Sequence, residues 1–258
     1  MEHLSDVIWI LGILAELVVV LLLVVRGLWH SLRIFTAYCV WDLASNAMVL
    51  PLAKFSGSSY REVYLAVVVI DAVFVFAVLT ELIWSVLRPI HKFLHRRAYI
   101  FIALFLALAG VLLWPLTGVG GVARTFAYVI HVEQVSSLLR ILFFVGLAAC
   151  SNLLSLSWKS RELQVATGWG FYSLVSFGAM LVHTHDLNVS QYGILHEIVV
   201  ASFLASLLYW VYSFAQKEAE RREFTPQMQD FLLAVAGVAR EQRLALAQAA
   251  LERRQPRG

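Results

Sequence analysis

Charged residues are scarce in this chain, because Asp, Glu, Lys and Arg make up only 14% of its 258 residues. A soluble globular protein carries about a quarter charged residues. Hydrophobic residues reach 60%, which leaves little polar side-chain surface to face water. The composition therefore excludes an ordinary soluble domain and favours a protein that is surrounded mostly by lipid.

Cysteine and proline are also few. The two cysteines, Cys39 and Cys150, form no Cys-x-x-Cys pair, which excludes a disulfide scaffold and the common cysteine-based redox or metal motifs. None of the five prolines lies in the middle of an apolar run, so continuous helices are favoured over the interrupted helices of many transporters. Glycines such as Gly168 and Gly170 do lie within the runs, where they are typical of close helix packing.

Seven apolar stretches are each about as long as the ~20 residues that a helix needs to cross a bilayer. They are continuous and do not alternate with polar residues, so they predict helices and exclude the strands of a membrane barrel. The fold class is therefore an all-α membrane protein with a seven-helix transmembrane bundle over residues 1–217. The predicted spans are Val7–Val25, Ile34–Leu52, Val63–Leu87, Ala98–Leu116, Phe126–Leu154, Leu163–Val182 and Gly193–Ala215.

Basic residues between the spans predict the orientation, because loops rich in Lys and Arg stay in the cytoplasm. Eleven basic residues lie on one side of the predicted spans, whereas the loops on the other side hold only Lys54, Arg61 and Arg124. An outside N-terminus in a bacterial inner membrane is predicted, with aromatic residues such as Trp9 and Trp210 at the two interfaces. The eleven basic residues on the predicted cytoplasmic side are Arg26, Arg33, Arg88, Lys92, Arg96, Arg97, Lys159, Arg161, Lys217, Arg221 and Arg222.

Residues 218–258 form a predicted cytoplasmic tail. Thr225 as N-cap and Pro226 at the first helical position predict an amphipathic helix over about 226–253. The helix suits the inner headgroups of the lipid bilayer, where arginines meet anionic lipid. The alternative is docking to a protein partner or self-association with a second copy of the chain.

Ionisable residues within the spans form a predicted intramembrane charge network, since a charge at that depth is costly unless it has a partner or a task. Arg140 is expected to pair with Asp71 in preference to Glu16. Asp42 and Glu81 form a second group of acids at comparable depth. Helical spacing places Asp42 and Asn46 on one face of the second span, and Glu133 and Arg140 on one face of the fifth.

A second group of candidate residues lies at the predicted outer ends of spans five, six and seven. Imidazole and carboxylate side chains suit zinc or another divalent ion, or a response to pH. The sequence contains no His-Glu-x-x-His motif, so a metal here is an open alternative to plain interfacial histidines. The candidates for this outer ligand or metal site are His131, Glu133, His183, His185, His196 and Glu197.

Seven helices with an outside N-terminus are also the topology of retinal proteins and of G-protein-coupled receptors. Retinal is excluded as a cofactor because the seventh span has no lysine before Lys217. The third span ends in Trp84-Ser-Val-Leu-Arg-Pro89 without the receptor sequence Asp-Arg-Tyr, and span seven lacks Asn-Pro-x-x-Tyr. No cofactor is predicted on these grounds.

Three segments resemble a family of uncharacterised bacterial seven-helix integral membrane proteins of similar length. They are Tyr60-Arg-Glu-Val-Tyr64, Thr80-Glu-Leu-Ile-Trp-Ser-Val-Leu-Arg-Pro89, and Leu156-Ser-Trp-Lys-Ser-Arg161 leading to Gly168-Trp-Gly-Phe171. The resemblance covers nearly the whole chain and implies the same seven-helix fold. It implies no activity, ligand or cofactor.

Two classes of function follow from these observations. A small sensor or signalling scaffold that responds at its outer face is favoured by continuous helices, by the outer histidines and by the tail. The alternative is a proton- or ion-coupled transporter of small molecules that uses the intramembrane carboxylates. No nucleophile–base pair predicts an enzyme, no catalytic residue stands out, and no nucleic-acid partner is expected. A cavity reaching Asp42 and Glu81 from the cytoplasm would favour transport, and an outer pocket near His183 and His196 would favour sensing.

Overall fold

The computed structural model describes residues 2–55, 57–87, 98–117, 124–151, 159–185 and 192–216. Within these ranges the chain is entirely helical, with seven α-helices and no strand. The predicted tail helix over about 226–253, with Thr225 as its cap, lies outside the described residues. The helices are α1 (Glu2–Val25), α2 (Arg33–Phe55), α3 (Gly57–Val86), α4 (Ala98–Leu113), α5 (Arg124–Cys150), α6 (Arg161–His185) and α7 (Tyr192–Ala215).

Each helix coincides with one of the seven apolar stretches in the sequence. The first helix ends where Gly27 adopts a left-handed φ of 69° and its N–H bonds to the carbonyl of Val24 at 3.0 Å. Glycine suits this position because a side chain would be strained there. A 3-10 turn over Leu28–His30 then leads into α2.

Six of the helices form a closed ring in the order α1, α2, α3, α5, α6 and α7, in which α7 packs against α1. Helix α4 lies outside the ring against α3 and α5. Helices α1, α3, α5 and α7 begin at one end of the bundle, here called the N-end. The opposite end, where α7 finishes, is called the C-end.

The outer surface of the bundle is apolar. Five helices, α3 to α7, contain stretches long and apolar enough to cross a membrane. On peripheral α4, Phe101 and Phe105 are 68% and 69% exposed, which in water would form a large unfavourable patch. Helix α2 likewise exposes Val40 and Met48 while its polar residues face inward. These are the features of a helical membrane protein.

An aromatic core fills the half of the bundle nearest the C-end. Phe35 is fully buried, and its ring makes edge contacts with Trp210 at 5.2 Å and Trp169 at 6.0 Å between centroids. The Trp210 indole N–H donates to the carbonyl of Gln164 at 3.2 Å. The depth predicted for Trp210, near the inner membrane interface, stays a prediction, and its side chain is only 2% exposed within the bundle. It is buried because Gly168 on α6 leaves room for it.

Charged side chains close the C-end by capping helices. Both carboxylate oxygens of Glu81 on α3 accept backbone N–H bonds of 2.9 Å, from Ile34 and Phe35 at the start of α2. The first N–H groups of a helix have no partner within it, so this carboxylate satisfies two of them and complements the helix dipole.

The end of α7 is held in the same region. Arg161 on α6 donates to the carbonyls of Ser213 and Gln216, each at 2.7 Å. Arg26, just after α1, donates to the carbonyl of Ala215. Cations are favourable at a helix C-terminus because its last carbonyls carry partial negative charge. The point where the chain leaves the bundle is therefore fixed to both neighbouring helices.

Candidate functional site

A polar cavity of about 560 Å³ occupies the half of the bundle nearest the N-end. All six helices of the ring contribute to its wall, and the aromatic core separates it from the C-end. Its volume is within the roughly 300–1,000 Å³ of small-molecule sites. The charged and amide side chains that line it are Glu16, Asp42, Asn46, Asp71, Glu133, Arg140 and His196.

Glu16 on α1 is the most deeply buried of these groups, with 3% of its surface exposed. Its Oε1 atom accepts a hydrogen bond from Nδ2 of Asn46 at 2.9 Å. Its Oε2 atom is buried and has no hydrogen-bond partner among the described residues. An unsatisfied buried carboxylate oxygen is costly, so this oxygen has unused capacity to bind a donor in the cavity.

Asp42 and Asp71 face the same cavity from α2 and α3. Asp71 Oδ1 accepts a 2.7 Å bond from the indole N–H of Trp41. No described side chain donates to the Asp42 carboxylate. The acid pair expected from the sequence, Asp42 with Glu81, is not formed. Glu81 lies outside the cavity at the cap of α2, because it is six residues beyond Val75 on α3, about 1.7 helical turns closer to the C-end.

Arg140 is the one arginine among the described residues of the cavity wall. Its Nε donates to the Ser136 carbonyl at 3.3 Å, and its carbon Cζ lies 5.8 Å and 5.6 Å from the ring centroids of Trp169 and Tyr172. The predicted direct ion pair with Asp71 or Glu16 does not form in the described structure. Those acids take Trp41 and Asn46 as donors instead, and two aromatic faces stabilise the cation.

Glu133 lines the cavity from the same face of α5 as Arg140, as the spacing of the two residues predicts. Its Oε1 atom accepts a 3.2 Å bond from the hydroxyl of Tyr64 on α3. His196 approaches from the start of α7 and remains largely exposed. These two members of the predicted outer group therefore belong to the same cavity as the intramembrane acids.

The other members of the outer group do not join them. His131 faces away from the cavity, with Nδ1 at 2.7 Å from Oγ1 of Thr117 and its ring stacked on Trp114 at 5.2 Å. Glu197 is not part of the cavity wall. The side chains of His183 and His185 lie outside the described part of the structure. Over the described ranges, no three His, Cys, Asp or Glu side chains come close enough together to hold a metal ion.

The comparisons with known proteins give no relative. No protein-family model matches this chain, and no curated protein or solved structure is significantly similar to it. The resemblance to bacterial seven-helix proteins of unassigned activity stays a prediction, and the function must be argued from the cavity.

Three tyrosines of the cavity wall, Tyr38, Tyr64 and Tyr172, were not among the site residues predicted from the sequence. A signal was present, because Tyr38 is four residues before Asp42 and Tyr64 is seven before Asp71. Both spacings place the two side chains on one helical face. Tyrosines near a predicted membrane border are typical of the membrane interface, so the sequence alone does not distinguish an interfacial tyrosine from one in the cavity wall.

The described wall therefore presents four carboxylates, one guanidinium, amide and hydroxyl groups, and apolar side chains to one cavity. Such an arrangement can bind a polar ligand, and among the described residues of the wall we find no activated nucleophile of the kind that covalent catalysis uses. The geometry supports recognition more directly than it supports chemistry.

Proposed function

We propose that this protein is a membrane-embedded sensor that binds a small polar ligand in the cavity from outside the cell. The observation that carries the proposal is the position of the cavity, which lies wholly towards the N-end and is separated from the C-end by the packed core around Phe35 and Trp210. Basic residues concentrated in the loops at the C-end support an external N-end in an inner membrane.

All seven helices cross the membrane in this proposal. Helix α2 packs against α3, and α1 lies between α2 and α7. Because α3 and α7 are apolar enough to span a bilayer, their contacts with α2 and α1 support a transmembrane position for these two helices as well. The polar residues that make α2 less apolar face the cavity, where they do not contact lipid.

The signal would leave through α7. This helix contributes His196, Phe203 and Leu204 to the cavity wall, and its far end is held by Arg26 and Arg161. Ligand contacts on α7 can shift that end only by differing between two arrangements of the helix. The tail after Lys217 would report the shift to a partner, to the lipid surface or to a second copy.

A coupled transporter is the second candidate, favoured by Glu16, Asp42 and Asp71 inside the bundle. A carrier must expose its site to both sides of the membrane in turn. The packed core at the C-end and the helix cap formed by Glu81 disfavour opening of the cavity to that side of the membrane. Access to the cavity from each side therefore separates the two functions.

Cysteine accessibility tests this directly. In a background with Cys39→Ala and Cys150→Ala, Val200→Cys places a thiol on the cavity wall, and Val78→Cys places a matched thiol in the core, where Val78 is fully buried. A charged, membrane-impermeant methanethiosulfonate is applied to right-side-out and to inverted vesicles. The sensor proposal predicts modification of Val200→Cys from outside only and no modification of Val78→Cys.

Modification of Val200→Cys from both sides would support the carrier and contradict the sensor. Modification from the cytoplasmic side alone would contradict the outward-facing cavity.

A further inference from the structure

We infer that the ligand of the cavity is a zwitterion, with a carboxylate that binds Arg140, an ammonium group that binds Glu16 and Asp42, and an apolar portion between or beside them. Amino acids and short peptides have this chemistry. The inference rests on the proposed ligand cavity and adds the class of molecule that fills it.

Arg140 provides the site for a carboxylate. Arg140 lines the cavity, and its only hydrogen bond to a described residue uses Nε, so neither Nη group is committed to a described partner. The rings of Trp169 and Tyr172 hold the guanidinium in one orientation. Arginine in this state binds a carboxylate through two parallel hydrogen bonds, which gives both affinity and direction.

Glu16 and Asp42 provide the site for an ammonium group. Glu16 is almost completely buried, yet its Oε2 atom accepts no hydrogen bond in the described structure. Asp42 lies on the same face of α2 as Asn46, which itself bonds to Glu16. An ammonium group has three donors in a compact charge, so it can satisfy the orphaned oxygen and a second carboxylate together.

Counting charges favours a zwitterion over a simple ion. The described wall carries four acids against one guanidinium, which disfavours a plain anion. A metal cation is disfavoured because no group of three metal-ligating side chains comes together in the described ranges. A plain amine would leave the Arg140 fork without a carboxylate partner in the described wall, and an unpaired buried charge is the costlier arrangement.

Apolar side chains complete the cavity. The wall includes aliphatic residues from α3 and α7 and the apolar ring of Phe203, so a ligand with a hydrocarbon portion buries that portion as well as its charges. The volume of about 560 Å³ leaves room for a side chain or a second residue. The apolar residues concerned are Val68, Val75, Val199, Val200, Phe203 and Leu204.

The test compares matched probes on the full-length wild-type protein in lipid nanodiscs. The zwitterions are L-leucine, leucyl-leucine and 6-aminohexanoate, which differ in the separation of their charges. Isoamylamine lacks the carboxylate of leucine, and 4-methylpentanoate lacks its ammonium group. Titration calorimetry and the thermal unfolding midpoint are read for each probe. At least one zwitterion is expected to bind about tenfold or more tightly than the amine and the acid.

Variants then assign the two ends. Arg140→Gln should reduce binding of the zwitterion to that of the amine, and Arg140→Lys should restore part of the difference. Glu16→Gln keeps the size of the side chain and its bond from Asn46, and should weaken the zwitterion and the amine while leaving the acid unchanged. Glu197→Gln removes a carboxylate on α7 that is outside the cavity wall, and should leave all probes unchanged.

The inference is overturned if, at millimolar concentration, no zwitterion binds the wild-type protein, or none binds more tightly than the amine and the acid. That result leaves the sensor proposal intact when Val200→Cys is modified from outside only. Zwitterion binding together with modification from both sides keeps the ligand class and removes the sensor. The wild-type comparison stands even if a variant fails to fold.

Discussion

Gly168 shows how a single side chain sets the position of a neighbouring helix. A Cβ atom at this residue would lie 2.6 Å from Cε2 of Trp210, well inside van der Waals contact. Ser206 on α7 also donates to the Gly168 carbonyl at 2.9 Å. The missing side chain lets α6 and α7 approach closely, as small residues do at membrane helix contacts. The sequence predicted packing at this glycine, and the contact with Trp210 confirms it.

Gly168→Ala should therefore destabilise the protein by about 1–3 kcal/mol, the usual cost of overpacking a filled interior. Gly178→Ala is the matched control on the same helix, because a Cβ there meets nothing within 4 Å. Its midpoint should stay constant or rise slightly, since alanine favours a helix over glycine. The measurement is the thermal unfolding midpoint in one detergent. Equal midpoints for the two variants would mean that Trp210 does not occupy the space beside Gly168.

The face of α5 that carries Arg140 could be predicted from the sequence, but the neighbours of Arg140 on other helices could not. Spacing along α5 places Glu133 and Arg140 on one face, and the structure has both in the cavity wall. Choosing between Asp71, Glu16 and an aromatic pair as the neighbour of Arg140 requires the rotation of three helices. A charge within a membrane span needs stabilisation because its insertion is costly. The two rings stabilise Arg140 in part, without a carboxylate.

At the scale of one element, α2 is the helix whose chemistry differs most from a simple apolar span. Its interior face carries Asp42 and Asn46 into the cavity, whereas its start is capped by Glu81 from α3. The acid at 81 therefore has a structural role, although the sequence alone grouped it with Asp42. Helix caps made by a side chain from another helix leave no local pattern in the sequence, so this role could not be read from spacing.

Glu81→Ala should remove both bonds to the α2 N–H groups and lower the stability by about 0.5–2 kcal/mol, as the loss of a side-chain cap does. Glu197→Ala is the control, because no described residue uses that carboxylate as a cap. Thermal unfolding monitored by circular dichroism separates the two variants. A midpoint for Glu81→Ala equal to that of Glu197→Ala would contradict the capping role.

At the scale of the whole molecule, the seven helices were predictable and their arrangement was not. Each continuous apolar run became a helix, and five of these helices are apolar enough to cross a membrane, where the backbone must satisfy its hydrogen bonds within the segment. The ring order, with α4 outside and α7 against α1, depends on side-chain packing between distant segments. For the same reason the predicted outer site is not formed as one group. Glu133 and His196 line the cavity, whereas His131 contacts Thr117 and Trp114.

The two halves of the bundle differ in a way that fits one direction of use. Polar residues concentrate in the cavity near the N-end, and aromatic packing and helix caps occupy the C-end. A sensor needs an accessible site at one end and a fixed exit at the other. The orientation of the bundle in the membrane therefore decides whether the cavity meets the medium outside or the cytoplasm.

Reporter fusions measure that orientation most directly. Alkaline phosphatase, which is active only outside the cytoplasm, is fused after Gly57 at the start of α3, after His95 between α3 and α4, and after Gly258. The outward-facing cavity predicts activity after Gly57 and none after His95 or Gly258. Activity at either of the last two positions, with silence after Gly57, would place the cavity in the cytoplasm and contradict the external sensor.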